Sequence, residues 1–224
     1  MGVISLEKSQ NMYWLGRYME RVFTTLQSYI IYFDKMIDAG EIFYQQFCTA
    51  LAIPDTYGSQ DAFFENYLFD GKDMNSVASS LNRAFDNAVV LRNEISSESL
   101  CYIHLAMERL DAARNPRERL LELQQVLDYL YAFWGSVDDC ADSEICRNLM
   151  KIGRYQERLD LYVRLHYSMA EVERTYCKLR TRIEKSGLPY HAEQLDCIGA
   201  CLASEETLQA NRQKLLNCLM QLIF

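Results

Sequence analysis

Proline and glycine are scarce in this 224-residue chain: three prolines (Pro54, Pro116, Pro189) and nine glycines interrupt long stretches of Leu, Ala, Glu, Arg, Tyr and Met. Such a composition disfavours short strands and tight hairpins and predicts an all-α fold. Basic residues are also in the minority, 23 Lys plus Arg against 31 Asp plus Glu, for a formal net charge of -8. That balance opposes the phosphate attraction behind nucleic-acid affinity, so no nucleic-acid partner is expected. No apolar run approaches the roughly 20 residues that span a bilayer, and none of the N-terminal residues forms a signal-peptide pattern, so a cytoplasmic protein without a membrane partner is expected. The eight cysteines (48, 101, 140, 146, 177, 197, 201, 218) include no Cys-x-x-Cys pair and read as reduced core thiols. His104, His166 and His191 lie far apart, and no Cys/His grouping has zinc spacing, so no metal or cofactor is expected. Asp138-Asp139-Cys140-Ala141-Asp142 matches one half of a magnesium-diphosphate clamp, but no second half follows, which leaves an acidic helix start or loop as its reading.

What the chain does have is helical periodicity. At this length one sizeable core is expected, hence a single domain over 1–224, a helical bundle of about 7–9 helices. A first helix from about Lys8 to Asp38 carries Leu15, Met19, Val22, Leu26, Tyr29, Phe33 and Met36 in alternating steps of four and three, with Gly40 as its stop. Further helices are expected over Glu41 to Ala52, Asp61 to Phe69, Asn75 to Ile95, and from a Ser96 or Ser97 cap to Ala113. Asn115-Pro116-Arg117-Glu118 reads as a helix start, with the helix stopping near Gly135. From Ser143 to Lys185 the helical pattern continues, with a break expected at the capping box of Ser168 and Glu171. Two more helices cover Tyr190 to Ala203 and Ser204 onward.

One pattern is written twice. Gly16-Arg17-Tyr18-Met19-Glu20-Arg21 returns as Gly153-Arg154-Tyr155-Gln156-Glu157-Arg158, with five of six residues in agreement. A glycine inside a helix costs about 1 kcal/mol relative to alanine, so each copy calls for a compensating close approach of another backbone. Within each copy the glutamate has an arginine three residues earlier, and an approximate twofold arrangement would also give it an arginine from the other copy. Four arginines against two glutamates leave two positive charges over. Either other carboxylates, such as Asp86, Glu94, Glu98 or Glu108, neutralise them, or the cluster holds an anion such as phosphate or a carboxylate. A structural ion-pair core is the favoured reading for Arg17, Glu20, Arg21, Arg154, Glu157 and Arg158, with a ligand site as the alternative.

The segment from Asn11 to Arg21 resembles the opening helix of the alpha-E proteins, all-helical domains with a Glu-Arg motif. Ile152 to Arg158 is similar to that family's second Gly-Arg-x-x-Glu-Arg helix. Asn87 to Glu98, with Arg92 and Glu98, is similar to its central motif, although Phe85, Val89 and Leu100 depart from it. The resemblance adds Arg92 and Glu98 to the candidate charge cluster. It implies a bacterial-type setting beside circularly permuted ATP-grasp ligases and transglutaminase-like proteins, and so a role in making or processing a peptide or amide-linked product. Two functions follow from it: a non-catalytic helical accessory protein, for which the aromatic stretch Tyr57 to Phe69 is the candidate docking patch, or an enzyme or binder of a small anionic ligand or peptide.

Overall fold

The computed structural model describes residues 5–39, 42–141 and 143–223, with the side chains of 34–39, 42 and 43 outside the description. Met36 as a core residue, Gly40 as a helix stop, Glu41 as a helix start and Asp142 of the acidic pattern therefore lie outside it. The described residues form eleven α-helices and no strand, more helices than the 7–9 expected. In chain order they are α1 (Leu6–Ala39), α2 (Ile42–Leu51), α3 (Gln60–Phe69), α4 (Val77–Val90), α5 (Arg92–Ile95), α6 (Ser97–Ala112), α7 (Arg119–Cys140), α8 (Glu144–Arg164), α9 (Met169–Ser186), α10 (Ala192–Cys201) and α11 (Glu205–Met220).

The extra count has local causes. The helix expected over Asn75 to Ile95 breaks at Leu91, whose backbone leaves the helical region (φ -94°, ψ 10°) after the β-branched pair Val89 and Val90, so the single turn α5 stands apart. Asn115 does not open α7. Its side chain accepts from the Arg117 amide at 3.2 Å in a turn, and the helix begins at Arg119. Nor does α7 stop at Gly135: it runs to Cys140, because Phe133, Trp134, Ser136 and Val137 are buried and their packing outweighs the small penalty of one helical glycine. The break between α8 and α9 falls where expected, with Glu171 accepting from the Ser168 amide at 3.2 Å.

Two apolar clusters flank α8. The first holds the stripe Leu15, Met19, Val22, Leu26 and Tyr29 of α1 against α3, α4, α6 and α7, and takes Leu149, Met150 and Leu161 from α8. The second joins Ile152, Leu159 and Val163 of α8 to α9, α10 and α11, and takes Tyr13 from α1. Both long helices are thus covered on more than one side. The charged face of α1 cannot be a solvated back.

Candidate functional site

The α1–α8 contact is built on the two motif glycines. An added Cβ at Gly16 would lie 2.0 Å from the Met150 carbonyl oxygen, and one at Gly153 would lie 2.0 Å from that of Tyr13. Each glycine therefore meets the backbone three residues before the other, a reciprocal approach that only glycine allows. The contacts advance together along both helices, glycines first and glutamates a turn later, so α1 and α8 run parallel about an approximate twofold axis.

This geometry decides the charge pairing. Glu20 accepts from Arg158 Nε at 2.5 Å, from Arg158 Nη2 at 2.9 Å and from Arg154 Nε at 3.1 Å. Glu157 accepts from Arg17 Nε and Arg21 Nε, both at 2.6 Å. Each glutamate takes both arginines of the other motif copy. The pairing expected inside each copy, Glu20 with Arg17 and Glu157 with Arg154, is not the one formed, because a shared helix face three residues apart brings the stems together while the forks reach across the glycine contact. Both glutamates are buried, and three of the four arginines are nearly so, with side chains 14 to 16% exposed, whereas Arg21 is 32% exposed.

The one position at which the two motif copies differ also has a cause. Met19 is buried in the first apolar cluster, while its counterpart Gln156 is buried beside the second and donates from Nε2 to the Leu219 carbonyl of α11 at 2.6 Å. The second copy thereby clips the C-terminal helix to the motif.

Beyond the motif the two halves diverge. Around Glu20, Thr24 adds a hydroxyl donor at 2.9 Å, and the Trp134 ring covers Arg154 at 4.2 Å from its centroid. Burial, outweighing the Glu20 charge, lowers the pKa of Arg154. Around Glu157, burial works against the carboxylate but the charges of Arg17 and Arg21 win, holding its pKa down at about 2 against an ordinary 4.5. Asp160 lies beside it, paired with Arg164 at 2.8 Å, and burial, then the Glu157 charge, raise its pKa. A cavity of about 160 Å³ opens on this side, lined by Arg21, Thr25, Tyr67, Asn75, Glu157, Asp160 and Arg164 among others. Nothing in the sequence pattern singled out Asp160 or Arg164; their i, i+4 spacing directly after the second motif was the available signal.

The remaining candidates lie elsewhere. Arg92 on α5 and Glu98 on α6 are exposed, and Glu98 accepts from the Tyr102 hydroxyl at 3.1 Å. Glu94 pairs with Lys8, Glu108 lies beside His104 at 3.7 Å, and Asp86 lines a shallow surface cleft with Trp14, Tyr18 and Arg83. None of these carboxylates neutralises the surplus arginine charge. The aromatic stretch offered as a docking patch is a correction of another kind: Tyr57, Phe63, Phe64, Tyr67 and Phe69 are buried, stacked on one another and on α1 and α2. The cysteines divide as well, since Cys101 and Cys177 are exposed and are not core thiols. Asp138 pairs with Lys151 at 2.5 Å. Among the described residues no three His, Cys, Asp or Glu side chains are placed to hold a metal ion, and no helix is long and apolar enough to cross a membrane.

The model of one protein family, described as a predicted alpha-helical domain with a conserved ER motif, matches residues 8–215. The chain belongs to the Alpha-E family. The matched span takes in the Glu-Arg pairs of the two repeated motifs, Glu20-Arg21 and Glu157-Arg158, along with Glu108-Arg109, Glu118-Arg119 and Glu173-Arg174. No curated protein and no solved structure matches this Alpha-E chain.

Proposed function

We propose that this Alpha-E chain is a non-catalytic helical accessory protein working beside an ATP-grasp ligase, with a transglutaminase-like protein as a further partner, in forming or processing a peptide or amide-linked product. The observation that carries the non-catalytic part is the commitment of the motif: both glutamates and all four arginines are used in pairing with each other. A carboxylate held by two guanidiniums at about 2 is a weak base and is fully ionised at neutral pH, so it has no proton to donate. The motif fits a fastener that sets two long helices, and with them both apolar clusters, in one arrangement. The ligase partnership rests on the family resemblance. Co-purification of this protein with an ATP-grasp ligase encoded beside it, together with a change in ligase turnover when the two are mixed, is the expected result; neither binding nor an effect on turnover would overturn the reading.

A second reading is favoured by one observation, the cavity beside Arg21. Arg21 and Arg164 line it with Glu157 and Asp160, and Arg17, which pairs with Glu157 without lining the cavity, brings this charge group to one positive charge in excess. That imbalance suits a small monoanion such as a carboxylate better than a dianion, which Asp160 would repel. Thermal melts with acetate and with inorganic phosphate test it. A dose-dependent rise in melting temperature that is lost in Arg21→Gln supports the binding role, and no shift with either anion counts against it.

A further inference from the structure

Cys197 on α10 and Cys218 on α11 meet across the second apolar cluster, their Sγ atoms 2.7 Å apart. Of the two, Cys218 is buried and Cys197 is half-buried, while Cys201, one turn along α10, is buried beside them. The thiols belong to helices joined by a short turn that Ser204 caps, so they are held facing one another by the surrounding leucine packing of Leu195, Leu208 and Leu219. Oxidation needs just such a juxtaposition of an accessible sulfur and a second one within reach.

We propose that Cys197 and Cys218 are a modification site, forming a reversible intrachain disulfide with an oxidant of the peroxide class. The half-buried Cys197 attacks a peroxide oxygen as its thiolate; the O–O bond breaks, hydroxide leaves and takes up a proton, and a sulfenic acid remains on Cys197. Cys218, as it loses its proton, attacks that sulfur; the S–S bond forms, the S–O bond breaks, and the oxygen leaves as water. Two thiols and one hydrogen peroxide thus yield one disulfide and two waters, with sulfur oxidised and peroxide oxygen reduced. Burial, followed by the neighbouring Cys197, pushes the Cys218 thiol up to about 12, which suits it to the resolving role and not to first attack. The cross-link reaches the motif through its neighbour: Leu219, next to Cys218, accepts from Gln156 on α8. Oxidation therefore stiffens this hydrogen-bonded clip between the C-terminal helix and the charge-paired core.

The full chain is treated with hydrogen peroxide, quenched, denatured and alkylated without reductant, and its peptides are mapped by mass spectrometry. The expected result is a single species joining the Cys197 and Cys218 peptides, released by dithiothreitol, with the other six cysteines alkylated. The oxidised protein should also melt higher than the reduced one. Cys201→Ser should leave both effects in place and Cys218→Ser should abolish both. Alkylation of Cys197 and Cys218 after peroxide, or a cross-link from Cys197 to Cys201 in their place, would overturn the proposal. So would oxidation confined to the exposed Cys101 and Cys177.

Discussion

The two halves of the motif cluster begin alike and end differently. Around Glu20, the residues after the motif are Val22, Phe23 and Thr24; Phe23 packs edge-on against Tyr131, Thr24 bonds the carboxylate, and Trp134 covers Arg154. Around Glu157, the corresponding residues are Leu159, Asp160 and Leu161, and an Asp160–Arg164 pair stands beside an open cavity where Phe23 fills space in the first half. One ion-pair device thus serves two purposes. The Glu20 half is sealed by aromatic rings and an additional donor. The Glu157 half keeps a half-buried arginine, Arg21, at the edge of an open cavity, and that is where a ligand would be accommodated.

The largest difference should appear when a glutamate is neutralised. Glu20→Gln leaves Arg154 and Arg158 in a covered site without a counter-charge, and breaking a buried pair costs ~3–5 kcal/mol. Glu157→Gln should cost less, because Asp160 and the Tyr13 hydroxyl, 3.2 Å from Arg17, remain as acceptors near its arginines. Urea unfolding of the two variants makes the comparison. Equal losses would break the asymmetry.

The glycines test the shared part. Gly16→Ala and Gly153→Ala each drive a methyl group into a carbonyl 2.0 Å away, and separation of the helices should lower stability by about 2 kcal/mol or more in both, despite the better helix propensity of alanine. Matched losses in thermal melts support the twofold contact, and a neutral effect at either glycine would contradict it.

Acid should act on the Glu157 half. Glu157 titrates lower in the folded protein, about 2, than its ordinary 4.5, so the stability it contributes is complete above about 4.5 and is lost as pH falls from there toward 2. Asp160, with its pKa raised, has the opposite sign: the folded protein holds its proton more tightly than the unfolded chain, so its contribution declines as pH rises. Unfolding midpoints of the wild type and Glu157→Gln between pH 5 and pH 2 should therefore converge as pH falls. Asp160→Asn should be the mildest change, leaving the melting temperature at pH 7 unchanged or slightly raised.

Much of the fold was legible because its signals are local. The stripe on α1 marks a helix by spacing alone, and Ser168 with Glu171 marks the α8–α9 break by reciprocal capping. The partner of each motif glutamate was less so. Spacing within one helix offers Arg17 to Glu20, but the crossed choice of Arg158 depends on how two segments far apart in the chain lie against each other, which the reciprocal glycines hint at and only the packed structure decides. The aromatic stretch of α3 was misread as surface for the same reason: its rings have no helical stripe, yet they fill space between α1 and α2. Arg92 and Glu98 entered through resemblance to a central motif, and the break at Leu91 sets them on exposed turns away from the cluster. The cavity beside Arg21 arises from residues of several helices and has no linear signature at all.

Crossed pairing is the central claim, and a double-mutant cycle in urea unfolding tests it most directly. Glu20→Gln is combined with Arg158→Gln in one cycle and with Arg17→Gln in another. Residues in direct contact show coupling on the order of 0.5–3 kcal/mol, whereas sites without a shared partner add within about 0.5. Strong coupling of Glu20 to Arg158 with near-additivity to Arg17 is the expected result, and coupling of Glu20 to Arg17 in place of Arg158 would contradict the crossed arrangement.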